Sequence, residues 1–395
     1  MARGLVTATA AQLSHDADQA AAAGDLARAA DLLAAAAEQD SANPALWLKL
    51  ASLQRACGRA RQALTSAERA LALAPLDFTA LLLRASLLER LADADADADA
   101  NADAAYANAL ARRPTDSLPP QLAQIVAHAE QRVAAWRDRR ETRMAADAAT
   151  ALAAASDEER VRIARFQTNI LRRTRPFHSE PTDFHFSGLT CREFHPRRLF
   201  PWIADLEAAT EAIADELAAV MAAERAELVP YIQYEAHAPL AQWQPLNHNH
   251  DWTAIHLLRN GERVEANARH APRTLALLDR VAQPRIAAAS PNAMFSLLAP
   301  HTTIPPHVGI SNARLVCHLP LIVPRSCWFR VGGETREWCR GKAFVFDDTI
   351  EHEAANPSDE LRVVFIFDLW HPDLSAIERD AVTAIVGGEG GAAGL

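Results

Sequence analysis

Residues 305–324 read PPHVGISNARLVCHLPLIVP, and residues 341–372 read GKAFVFDDTIEHEAANPSDELRVVFIFDLWHP. Their apolar runs are short, β-branched and aromatic, and turn residues such as Gly332-Gly333 part them, which predicts strands. Strands are expected at Arg314–Val323, Cys327–Val331, Ala343–Asp347 and Leu361–Leu369. Several short strands at this spacing suit a barrel or sandwich better than βαβ units. Side chains alternate across a strand, so Arg362, Val364, Ile366 and Asp368 share one face, and Arg314, Val316 and His318 share a face of theirs.

Upstream of these strands, PWIADLEAATEAIADELAAVMAAERAEL (residues 201–228) and the segment near Pro272–Arg280 predict flanking helices. At about residue 174 the texture changes to the aromatic, proline-punctuated TRPFHSEPTDFHFSGL. Everything before it reads as helix. Gly24 recurs as Gly58, Ala29 as Ala63 and Ala36 as Ala70, each 34 residues on, and Trp47, Leu50, Ala51 and Leu53 sit at helical spacing ahead of Gly58. A 34-residue period with small residues at fixed helix contacts resembles the tetratricopeptide repeat, although a plain helical bundle would share the composition. Ala70-Leu71 and Pro75 recur as Ala109-Leu110 and Pro114, shifted by the low-complexity ADADADADAN (Ala92–Asn101), which is expected to expand an inter-helix turn. The expected organisation is helical repeats over residues 1–120, a helical cap or linker over 121–173, a second domain over 174–385 and a flexible tail over 386–395.

The 395 residues suffice for two or three domains. A net charge of −10 argues against a general nucleic-acid binder, which needs a basic surface. Five cysteines, at 57, 191, 317, 327 and 339, make an odd number with no CxxC pair, as suits a reducing compartment. No signal-peptide core and no apolar run of membrane-spanning length occurs, so a cytoplasmic chain without a membrane partner is expected.

Thirteen of the fifteen histidines lie after residue 175, which places any imidazole chemistry in the second domain. His307 follows a Pro305-Pro306 turn and enters a strand, and His352 precedes the strongest strand. Arg362 lies inside that strand among apolar neighbours, where a guanidinium needs an anionic partner. Two neutral imidazoles with a buried Arg suit a non-haem iron site whose acid cosubstrate is held by the Arg. Taken alone, the constellation leaves structural histidines open. His248-x-His250 has metal-like spacing but lies in NHNHDW, which reads as a loop near a pocket mouth, and His371 is expected to end the last strand.

The full run is more specific. Ser296, the stretch from Pro305, Trp338, the FDDTIEHE segment and LRVVFIFDLWHP together resemble the aspartyl/asparaginyl β-hydroxylase family, with further similarity through Trp252, Asn260-Gly261, Asn267 and Pro272 to Thr274. The resemblance covers roughly residues 180 to 375. It implies an α+β multidomain chain in which tetratricopeptide-like helical repeats precede a double-stranded β-helix (jelly-roll) oxygenase domain with flanking helices. It also implies an enzyme, a dioxygenase that uses Fe(II), 2-oxoglutarate and O2 to hydroxylate the β-carbon of Asp or Asn in a peptide or protein.

Carried over by position, His307 and His352 would be the metal ligands and the catalytic centre. Arg362 and Ser296 would bind the distal carboxylate of 2-oxoglutarate, His318 its metal-bound end, and Trp252 would wall its pocket. Arg314 would face the substrate. Most related dioxygenases add a carboxylate two residues after the first His; this family does not, and Gly309 stands there. Asp347 and Asp348 are then expected in a turn beside the site instead of on the metal. Animal members carry an Arg two residues before the position of His318, where this chain has Val316, so one contact to substrate or cosubstrate is lost or supplied elsewhere. A lipid acyl chain or small metabolite as substrate, or a repeat adaptor with a degenerate barrel, are the alternatives.

Overall fold

A computed structural model describes residues 8–92, 96–223, 229–235, 237 and 241–388. The chain divides into two compact units, Met1–Leu171 and Arg172–Leu395.

The first unit is helical. Its helices are α1 (Ala10–Ala22), α2 (Leu26–Gln39), α3 (Pro44–Ala56), α4 (Ala60–Leu73), α5 (Phe78–Leu91), α6 (Ala96–Leu110), α7 (Pro120–Asp147), α8 (Ala149–Ala154) and α9 (Asp157–Ile170). Each of α1 to α7 packs on the next. Gly24 and Gly58 occupy equivalent turns within the pairs α1–α2 and α3–α4, with φ of 85° and 74°. That left-handed backbone ends a helix at little cost only with glycine. The repeated alanines Ala29, Ala63, Ala36 and Ala70 are all buried, which is what lets neighbouring helices approach closely.

The ADADADADAN stretch departs from expectation. Its last part is helix, because α6 begins at Ala96; residues 93–95 lie outside the described residues. Alanine, the strongest helix former, outweighs the low complexity of the sequence there.

A polar cluster pins α6 between its neighbours. Asp103, 1% exposed, accepts from Arg132 Nε and from Arg139, each at 2.8 Å. Glu89 accepts from Tyr106 Oη at 2.5 Å and from Arg132 at 2.9 Å. Hydrogen bonds to charged groups contribute about 1.5–3 kcal/mol. Asp103→Ala should therefore lower the unfolding free energy of this unit by about that amount, measured by denaturant titration; an unchanged midpoint would show that the cluster is not a clamp.

The second unit is built on strands β1 (Phe194–His195), β2 (Val229–Pro230), β3 (Trp252–Arg259), β4 (Glu262–Arg263), β5 (Ala293–Leu298) and β6 (Thr302–His307). They continue as β7 (Arg314–Ile322), β8 (Trp328–Val331), β9 (Glu334–Glu337), β10 (Phe344–Phe346), β11 (His352–Asn356) and β12 (Arg362–Trp370). A large antiparallel sheet has the order β1-β10-β7-β12-β5-β3-β2, with β4 paired to β3, and a smaller one has the order β6-β11-β8-β9. Val363, Phe365, Phe367 and Leu369 face one core, which is shared with the helices Ile203–Ala208, Thr210–Ala222 and Pro272–Leu278. Val364 and Ile366 face a second cluster, formed with residues of both sheets such as Phe329 and Ile304. The alternation read from the sequence therefore separates a helix-covered face from an inward one.

Several boundaries shift. The helix expected over 201–228 is two helices broken at Ala209, and residues 224–228 lie outside the described ones. His307 closes β6, and Pro305-Pro306 lie within that strand instead of in a turn before it; proline is tolerated where its ring does not block a ladder hydrogen bond. Strand β3 was not expected at all. The tail is helical in its first part, since a helix runs Ala376–Gly388 and its Val382 and Val386 bury against Trp370 and Leu374; residues 389–395 lie outside the described ones. Among the described residues no helix is long and apolar enough to cross a membrane.

Candidate functional site

Between the two sheets lies a cavity of about 620 Å³, lined by Trp252, Ser296, His307, Arg314, His318, His352 and Arg362 among others. All seven candidate residues of the sequence reading thus meet in one place. The exposed His248 and His250 lie in the turn before β3 and do not line it.

His307 and His352 are direct cross-strand partners on β6 and β11, with ring centroids 4.0 Å apart. The Nδ1 of His307 lies 2.8 Å from the Pro305 carbonyl, and that of His352 lies 3.1 Å from the Ile350 carbonyl. A carbonyl can only accept, so each Nδ1 carries the proton and each Nε2 keeps a lone pair. Burial pushes the pKa of His307 down to about 3 and that of His352 to about 4, so both rings are neutral at neutral pH. Two neutral, backbone-oriented imidazoles side by side have the chemistry needed to hold a divalent transition metal.

Arg362 is 2% exposed, and no carboxylate pairs with it among the described residues. Its Nε has no partner, its guanidinium lies 5.3 Å from the Trp338 ring, and desolvation lowers its pKa to about 10. It remains a cation at neutral pH, buried without a counter-ion. Ser296 Oγ accepts from Trp252 Nε1 at 3.0 Å, which leaves the serine proton to donate. His318 stacks on Trp338, burial pushes its pKa well down, and its Nδ1 has no partner. A buried cation with an unpartnered Nε, beside a hydroxyl free to donate and an unpartnered imidazole nitrogen, is suited to receive a small, multiply accepting anion.

Gly309 and Asp348 are coupled. A Cβ at Gly309 would collide with the Asp348 carboxylate, and the Gly309 amide donates to the Asp348 carbonyl at 2.7 Å. Asp348 in turn pairs with Arg314 at 3.0 Å, both groups being largely buried. Asp347 accepts from the Thr349 amide at 3.0 Å and from its hydroxyl, which fixes the turn. Gly309→Ala should displace Asp348 at an overpacking cost of about 1–3 kcal/mol, read as a fall in melting temperature. An unperturbed melting temperature would mean that the Asp348 carboxylate is not confined.

Sequence reasoning did not find Tyr231 and Trp243. Tyr231 stacks on Trp252 at 3.9 Å, and Trp243 meets the His307 ring edge-on at 4.9 Å. Their one signal was the density of aromatic residues in a segment with no periodicity.

Residues 207–372 match the family model described as aspartyl/asparaginyl beta-hydroxylase. The mouse protein named aspartyl/asparaginyl beta-hydroxylase is 35% identical over 147 residues, which is 37% of this chain and 20% of that protein. The human aspartate beta-hydroxylase domain-containing protein 2 is 39% identical over 138 residues, 34% of this chain and 37% of that one. The match therefore spans about a fifth to two fifths of these relatives. Among solved structures, the TPR domain of OM64 from Arabidopsis is 18% identical, covering 31% of this chain and 92% of that chain with a TM-score of 0.27.

Proposed function

Residues 207–372 belong to the aspartyl/asparaginyl β-hydroxylase family, and on that premise we propose that the C-terminal unit is an Fe(II)/2-oxoglutarate-dependent dioxygenase. The observation that carries the reading is the buried Arg362, without a carboxylate partner among the described residues, in one cavity with two neutral imidazoles. A double-stranded β-helix is the matching fold, supported by the sheet orders β10-β7-β12-β5 and β6-β11-β8-β9 within the two antiparallel sheets.

In this reading His307 and His352 would hold the iron, each offering its free Nε2. Fe(II) bound there, with 2-oxoglutarate and O2, supplies the oxidising power to place an oxygen atom on an unactivated carbon. The protein's share is positioning and exclusion of water. Arg362 and the Ser296 hydroxyl hold the distal carboxylate of 2-oxoglutarate, and the Arg362 charge requires that anion before the cavity is electrostatically balanced. His318 would contact the opposite end of 2-oxoglutarate. Trp252, held by Tyr231 and by Ser296, walls the cosubstrate off from solvent. Arg314 lies at the substrate end.

The substrate class is the β-carbon of Asp or Asn in a peptide or protein, recruited by the stacked helical repeats, and the chain acts in the cytoplasm. Stacked helix pairs present an extended surface suited to a polypeptide. Incubation of cell extract with enzyme, Fe(II) and 2-oxoglutarate should yield a peptide one oxygen atom heavier, located by mass spectrometry; a modified lipid or metabolite with no modified peptide would shift the assignment to those classes. A chain beginning near residue 165 should keep 2-oxoglutarate binding and show a raised KM on the intact target with kcat largely kept, the signature of lost uniform binding. Equal turnover of the intact target would assign the repeats to another partner.

A further inference from the structure

We propose that the substrate end of the cavity selects an uncharged carboxamide side chain over a carboxylate, so that within the dioxygenase reading, on which this rests, asparagine is preferred to aspartate. Three arginines are among the described residues that line the cavity: Arg259, Arg314 and Arg362. Arg362 lies at the start of β12 and Arg314 at the start of β7, which pairs with the far end of β12 through the Trp370 register. Cosubstrate and substrate ends thus lie along one strand. Arg259 is exposed at the end of β3. Arg314 alone could meet a buried substrate charge, and it is already committed. It bonds Asp348 at 3.0 Å and has Asp368 within electrostatic reach.

Val316 sits between Arg314 and His318 on the same strand face and directly opposite Asp368 on β12, so the position that could hold a second cation is apolar. Met294 and Ile366, also direct cross-strand partners, extend that apolar floor. A substrate carboxylate placed here would share one guanidinium with two protein carboxylates. A neutral group avoids that repulsion. The Arg314–Asp348 pair also retains one donor, Arg314 Nε, and one acceptor, Asp348 Oδ1, without partners. A carboxamide, with a carbonyl and an N–H, satisfies both; a carboxylate only accepts.

The test uses the full-length protein with 2-oxoglutarate and Mn(II) in place of iron, so that binding is read without turnover. N-acetyl-asparagine amide and N-acetyl-aspartate amide are titrated at neutral pH and followed by ligand-observed NMR. The expected result is at least tenfold tighter binding of the asparagine probe, with the ratio narrowed or reversed in Val316→Arg. Equal or tighter binding of the aspartate probe to the wild type overturns the proposal, whether or not the variant folds. So does the absence of binding by either probe while 2-oxoglutarate binds. If 2-oxoglutarate itself fails to bind, the dioxygenase reading fails first, and the selectivity built on it falls with it.

Discussion

Arg362→Leu is expected to weaken 2-oxoglutarate binding at least tenfold while leaving the ligand-free protein as stable as the wild type or more so. The two halves of that result come from one fact. The guanidinium is almost fully buried, no carboxylate pairs with it among the described residues, and its Nε has no partner. Truncating one side of a buried charge-assisted contact costs about 2–5 kcal/mol, which sets the loss of affinity. Without the ligand there is no partner to lose, and leucine removes an uncompensated buried charge, a change that is neutral or stabilising in comparable sites. Isothermal titration of 2-oxoglutarate and a melting curve without it read the two effects separately. An arginine with a purely structural role would give the opposite pattern, a lower melting temperature and unchanged affinity.

Removal of both imidazoles, in His307→Ala/His352→Ala, is expected to abolish stoichiometric metal binding with little loss of fold. Each ring is oriented by a hydrogen bond from Nδ1 to a carbonyl two residues earlier, at Pro305 and Ile350, so each Nε2 is held in place before any metal arrives. Among the described residues no group of three or more His, Cys, Asp or Glu that could hold a metal is assembled, so the site rests on these two imidazoles alone. Asp348 also lines the cavity, but it is engaged with Arg314. Metal content by mass spectrometry after dialysis would decide. Full occupancy in the double variant would mean that the metal is held elsewhere. If Asp348→Ala empties the site as completely as the double variant, the two-histidine assignment is wrong.

What the sequence made legible follows from how each signal is encoded. The alternation along β12 is local and period-two, so its two faces could be assigned before any fold was known, and the structure keeps them on two different cores. Gly24 and Gly58 could be matched because a repeated left-handed turn repeats its glycine. Strand β3 was missed because DWTAIHLLR is buried over most of its length and shows no alternation, and a short continuous apolar run does not distinguish strand from helix. The Ala-Asp stretch suggests a turn by its low complexity, although alanine content decides helix formation there. The Arg314–Asp348 pair was out of reach for another reason. It joins the start of β7 to the turn before β11, and only the sheet order brings them together.

In the proposed function this cavity binds iron through two histidines and consumes 2-oxoglutarate. Its most direct test is succinate production by the purified full-length protein, followed by NMR with and without added Fe(II), in the wild type and in His307→Ala/His352→Ala. Slow Fe(II)-dependent conversion of 2-oxoglutarate to succinate is expected of the wild type even without a peptide, and none above the protein-free rate of the double variant. Equal succinate from both proteins, or none from iron-loaded wild type with or without peptide, would contradict it.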